Sequence, residues 1–277
     1  MKNFIFISPN FPTNYWKFCR ELKNNGLNVL GIGDQPYDEL TSDLKNSLNE
    51  YYKVSSLENE DEVYRAVAFF IHKYGRIDWL ESNNEYWLER DAALRTDYNI
   101  PSGFHTSDME RIKFKSKMKE YYTRIGLPVA RYHMVDTIKK CFAFANEVGY
   151  PVVVKPDNGV GASDTYKLSS EEDMYEFFNK KNPKVSYIME EFITAEINSY
   201  DAIIDENGEP IFETGNVTPF SIMDIVNTSG DCAYYIVKDL ADDVRKAGRD
   251  TVKSFGVKNR FVHFEFFRLT ADQPIGK

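Results

Sequence analysis

The sequence predicts an α/β N-terminal domain built on a small parallel sheet, followed by an α+β region. Three observations predict it. Strand, helix and strand succeed one another within about 30 residues at the start, a βαβ unit that implies parallel pairing and a right-handed crossover. Pro101-Ser-Gly103 then breaks the alternation. The last part of the chain is rich in strands, with one helix among them.

Residues 4–8 are a short apolar run ending in Ser-Pro-Asn, which reads as a buried strand entering a loop. Residues 14–25 carry Tyr15, Phe18, Cys19 and Leu22 at helical spacing, and Gly26 stops the helix. Residues 28–32 and 51–54 read as the second and third strands, 60–74 as a helix with Val63, Val67, Phe70 and Ile71 inward, 77–80 as the fourth strand and 85–97 as a helix. The first hundred residues or so therefore form a Rossmann-like, doubly wound domain. Residues 109–125 read as one long basic helix with Lys113, Lys115, Lys117 and Lys119, ended by Gly126-Leu-Pro128. Strands at 131–135 and 152–155 flank a helix at 138–148, and a small-residue loop leads to a helix at 171–180. Strands at 187–192, 199–204, 211–217 and 260–269 follow, with a hairpin turn at Asp205-Glu-Asn-Gly208 and a helix over 239–255. These rhythms divide the chain into 1–105, 106–188 and 189–277.

Composition narrows the function. A chain of 277 residues can bury roughly 75% of its unfolded surface. With 42% apolar and 15% aromatic residues it is not disordered. A net charge of −9 argues against nucleic acid as a partner, which needs a basic face, and no polybasic patch suits a membrane. Cys19, Cys141 and Cys232 are odd in number and form no CxxC pair, the usage of a reduced, cytoplasmic protein. The apolar run at 4–7 is shorter than a signal-peptide core, and no segment approaches the ~18 apolar residues of a membrane span.

Four features carry chemistry, in order: Lys115 on the basic helix; Val152-Val-Val-Lys155-Pro156 with the loop containing Asn158, Gly159, Gly161, Ala162 and Ser163; Glu190, Glu191, Phe192 and Ile193, followed by Glu196; and His263-Phe-Glu265 on a late strand. Each alone has an ordinary reading as a solvated face, a strand end or a tight turn. Glu265 stands among Phe264, Phe266 and Phe267, where a lone buried carboxylate is expensive and wants a cation.

The four together resemble the ATP-grasp superfamily, in particular the carboxylate–amine ligases related to carbamoyl phosphate synthetase and biotin carboxylase. The resemblance implies an α+β ATP-grasp fold after residue 105, the lid subdomain first. It implies that Lys115 and Lys155 bind phosphates and that Gly159, Gly161, Ala162 and Ser163 form a glycine loop over them. It places adenine against Glu190, Glu191, Phe192 and Ile193, ribose at Glu196, and magnesium (or manganese) at Glu265. No nucleophilic catalytic residue is implied. The segment Trp79-Leu-Glu-Ser-Asn-Asn-Glu85 is similar to the family segment that closes the fourth strand, and Asn83, Asn84 and Glu85 are candidates for substrate contact; Asp224 and Asn227 are further loop candidates.

The implied reaction is ADP-forming: ATP activates a carboxylate as an acyl phosphate, which an amine or similar nucleophile then attacks. The family's second acidic metal segment, Glu-x-Asn with a following Arg, is expected after Thr270 and is not found before Lys277; Glu196-Ile-Asn198 lacks the arginine. The expectation is a truncated chain with an incomplete metal site. The alternative is a non-catalytic or regulatory ATP-binding module. A dinucleotide oxidoreductase is disfavoured, because Ser8-Pro-Asn-Phe stands where a GxGxxG would follow the first strand. Small-molecule carboxylate and amine substrates are the implied partners, and a homodimer is left open.

Overall fold

The computed structural model describes residues 1–159, 164–218 and 233–269. Asp224, Asn227 and residues 270–277 lie outside them. The chain divides into two compact units, Met1–Met109 and Glu110–Lys277.

The first unit is a parallel sheet in the order β3-β2-β1-β4, formed by β1 (Asn3–Ile7), β2 (Asn28–Gly33), β3 (Glu50–Lys53) and β4 (Trp79–Glu81). Alternation along β1 explains why both faces are covered. Ile5 and Ile7 point into a core with Val63, Val67 and Phe70 of α3 (Glu60–Tyr74) and Leu94 of α4 (Leu88–Asp97). Phe4 and Phe6 point the other way, toward Cys19 of α1 (Trp16–Asn24) and Leu44 of α2 (Ser42–Ser47). The Asn59 side chain caps α3 by accepting from Glu62 N, and Gly75 ends it at φ 82°. Buried Arg95 ties α4 to the end of β4, donating to the Leu80 carbonyl (2.9 Å), the Phe104 carbonyl (3.0 Å) and Glu81 Oε2 (2.9 Å).

The second unit holds two antiparallel sheets. The smaller, in the order β5-β8-β6-β7, comprises β5 (Tyr132–Met134), β6 (Val152–Pro156), β7 (Tyr166–Leu168) and β8 (Tyr187–Glu191). Val152, Val154, Tyr187 and Met189 face a core shared with α7 (Ile138–Val148) and α8 (Glu171–Lys180). Strand alternation puts Val153, Lys155, Ile188 and Glu190 on the opposite face. The larger sheet is centred on β9 (Ala195–Ile204), which pairs with β10 (Pro210–Thr214), β11 (Asn216–Thr218) and β13 (Arg260–Leu269); β12 (Tyr235–Ile236) extends it beyond β11. Helix α9 (Asp242–Phe255) packs on β9, with Gly248 under the Tyr200 ring.

Two departures from the sequence expectation have physical causes. The basic helix is two helices, α5 (Met109–Lys113) and α6 (Lys115–Arg124), parted at Phe114, which is extended at ψ 116°. Asp157 makes the break: its backbone carbonyl accepts from Lys115 N (3.0 Å), and its carboxylate accepts from Ser116 N and Ser116 Oγ, each at 2.8 Å. The strand expected at 211–217 is also split, at Gly215, where a Cβ would lie 2.3 Å from the Ser199 carbonyl oxygen. Among the described residues, no helix is long and apolar enough to cross a membrane.

Candidate functional site

Lys115, Lys119, Lys155, Gly159 and Glu190 come together where α6 meets the smaller sheet. Asp157 fixes the start of α6 to the end of β6, so Lys115 begins its helix beside Gly159. Its Nζ donates to the Gly159 carbonyl at 2.9 Å. Toward its other end, α6 packs on α9: the Tyr121 and Tyr122 rings lie 5.1 and 5.2 Å from the Phe255 ring, and Ser254 Oγ donates to the Tyr121 carbonyl. Gly161, Ala162 and Ser163 lie outside the described residues.

Lys155 and Glu190 project from adjacent strands on the face of the smaller sheet that α7 and α8 leave uncovered. Lys155 Nζ lies 2.5 Å from Glu190 Oε2, and Lys119 Nζ lies 2.7 Å from Glu190 Oε1. Burial by itself pushes the Glu190 carboxyl up, but the two ammonium groups outweigh it and hold the group down at about 2. Glu190 is therefore a buried anion that binds two cations.

Glu191 points to the other side, as its neighbouring place on the strand requires. Arg131 holds it, with its backbone N at 2.8 Å from Oε1 and Nε at 2.8 Å from Oε2. Phe192 and Ile193 lie in the short link to β9, and the Lys167 ammonium sits 4.4 Å from the Phe192 ring centre.

On the larger sheet, the register places Glu265 opposite Ser199, His263 opposite Asp201 and Arg268 opposite Glu196. Alternation then puts Glu265, His263 and Asp201 on one face. Glu196 and Arg268 take the other face, where α9 packs and Arg268 Nε reaches Asp243 at 2.9 Å. The structure does not bring Glu196 and Glu265 together. Glu196 accepts from Asn198 Nδ2 at 2.8 Å, with Arg268 Nη1 at 3.9 Å. His263 bridges two carboxylates, Asp201 at 2.5 Å and Glu265 at 3.6 Å, and these bonds push its imidazole up to about 10. Glu265 is half exposed and offers the oxygen a hard cation needs, with a charged imidazole beside it.

In the first unit, Asn83 and Asn84 follow β4. Asn83 is left-handed at φ 52°, its carbonyl accepting from Tyr15 Oη at 2.6 Å. Asn84 Oδ1 accepts from Tyr86 N, and Glu85 is exposed.

Sequence reasoning missed the roles of Lys119, Asp157 and Arg131. The spacing of Lys115 and Lys119, four apart on one helix, was the available signal for the first. Nothing local marks the other two, whose partners are distant in sequence.

Residues 110–199 match the family described as carbamoyl-phosphate synthase L chain, ATP binding domain. Over 119 residues the chain is 29% identical to the L-arginine-specific L-amino acid ligase of Bacillus subtilis, covering 41% of this chain and 28% of that protein. Over 115 residues it is 27% identical to the carbamoyl phosphate synthase large chain of Paenarthrobacter aurescens (strain TC1), covering 40% of this chain and 10% of that one. In structure it is similar to an L-amino acid ligase from Bacillus licheniformis (TM-score 0.71, 18% identity, 98% of this chain and 64% of that chain). It is also similar to the biotin carboxylase domain of Hydrogenobacter thermophilus 2-oxoglutarate carboxylase, solved with MgADP and bicarbonate (TM-score 0.69, 15% identity, 98% and 65%).

The fold is thus an α/β domain followed by an ATP-grasp fold. The chain resembles the carboxylate–amine ligase group of that superfamily, the group similar to carbamoyl phosphate synthetase and biotin carboxylase. It spans less than two thirds of the length of the relatives first compared.

Proposed function

We propose that this chain binds ATP with a divalent cation and performs an ADP-forming ligation of a carboxylate to an amine. The observation that carries the reading is that the start of α6 is fixed to the end of β6, where Lys115 donates to the Gly159 carbonyl, while Lys155 of β6 and Lys119 of α6 share the Glu190 carboxylate. A nucleoside triphosphate brings about four negative charges, so it needs cations from separate elements, and α6 and β6 supply them. Backbone at Glu190, Glu191, Phe192 and Ile193 would take the adenine, while Gly159, Gly161, Ala162 and Ser163 would close over the phosphates. Glu196 would take the ribose; the bond from Asn198 engages one of its two carboxylate oxygens. Glu265, on the open face of the larger sheet, would hold magnesium or manganese, which would neutralise phosphate charge when bound.

In the proposed reaction a carboxylate oxygen attacks the γ-phosphorus, the bond to the bridging oxygen breaks, and ADP leaves. The amine nitrogen then attacks the acyl carbon, loses a proton, and phosphate departs. The residues position the reactants and balance charge, so no covalent enzyme intermediate is needed. Asn83, Asn84 and Glu85 are proposed substrate contacts of the first unit, at the carboxyl end of a parallel strand.

Hydroxylamine trapping tests the reaction. With ATP, magnesium and a panel of carboxylic and amino acids, the reading expects hydroxamate and ADP in equal amounts for at least one acid. ATP binding with neither product from any acid would leave an ATP-binding module without turnover. That second reading draws support from Glu265, whose charge His263 partly claims.

A further inference from the structure

Glu190 is shared between two lysines that differ in what else they do. Lys119 is anchored a second time, donating to the Ala130 carbonyl at 3.0 Å, and its ammonium lies 5.2 Å from the Tyr132 ring centre. Its side chain is 11% exposed, against 26% for Lys155. Lys119 is thus the fixed partner of the carboxylate and Lys155 the one nearer solvent.

The charge count shows why both are needed. Lys155 and Glu190 alone cancel, and a lysine held by a buried carboxylate is a poor partner for a polyphosphate. With Lys119 present, the cluster carries one net positive charge. Glu190 also keeps a cation when Lys155 turns away, so the carboxylate is not left buried and unpaired.

We propose that Lys119 is a positioning residue: it holds Glu190 so that Lys155 can pass from that carboxylate to the phosphates of a bound nucleotide. This rests on the nucleotide reading given above, and on the shared carboxylate geometry within it.

The test is a double-mutant cycle on the full chain, with a fluorescent N-methylanthraniloyl-ATP and magnesium as the probe. Lys119→Met should weaken binding by about tenfold, the worth of one charge-assisted contact. Lys119→Arg should restore most of it. In a Glu190→Gln background, where nothing grips Lys155, Lys119→Met should cost less than about threefold. Equal costs in both backgrounds, or no cost in either, would overturn the proposal. Melting curves without nucleotide check that each variant folds, and Lys119→Gln carries the same comparison should the methionine variant not fold. If the unsubstituted chain fails to bind the probe, the nucleotide reading falls and this inference with it. Binding without coupling removes the Lys119 role alone.

Discussion

Single residues in both units set how this protein responds to acid and base. Glu190 is ionised in the folded chain far below the usual carboxylate range, so it contributes stability above about pH 4.5 that is lost as pH falls toward 2. Glu190→Ala should cost about 3–5 kcal/mol in urea unfolding at pH 7, because it leaves Lys119 and Lys155 facing each other without their anion. A loss under about 1 kcal/mol would mean that the lysines relax into water. Asp91 has the opposite sign. It is fully buried, and burial, then the neighbouring Glu81, push its carboxyl up well above the usual range, although Arg95 and Ser82 pull it back. Its stabilising proton is fully held below about pH 4 and lost as pH rises through the raised value, so stability should fall from about pH 4 toward neutrality. Asp91→Asn should flatten that slope, which melting measured across the range would show.

The elements show what binds local sequence to the site. The start of α6 depends on Asp157, a residue outside the helix. Asp157→Ala should cost about 1 kcal/mol, as the loss of a cap does, and should weaken nucleotide binding by releasing Lys115 from β6. Helix α9 sits so close to β9 that a Cβ on Gly248 would lie 2.2 Å from the Tyr200 ring. Gly248→Ala should destabilise by about 1–3 kcal/mol or more, and Tyr200→Leu in the same chain should recover part of it. In the first unit β1–β4, α1, α3 and α4 were legible because their apolar runs and helix stops are local, whereas the six-residue α2 was not expected. The break at Phe114 was not, since helical spacing continues through it and the capping carboxylate stands more than forty residues later in the chain. The same reason hid the split at Gly215, which a carbonyl from β9 imposes. Lys115, Lys155 and Glu190 were legible as residue types in a familiar order. That Glu190 grips two lysines, and that Glu196 and Glu265 lie on opposite faces, depends on strand register that periodicity alone does not fix.

For the whole molecule, the central claim is that the second unit is built to hold a nucleoside triphosphate. The most direct measurement is thermal melting of the chain with and without magnesium-ATP, repeated for Lys155→Ala. At about 100 times the dissociation constant, bound nucleotide should add about 2.7 kcal/mol, visible as a rise of several degrees. The account predicts that rise for the unsubstituted chain and its loss in Lys155→Ala. An equal rise in both would place the nucleotide elsewhere, and no rise in either would contradict ATP binding by this chain.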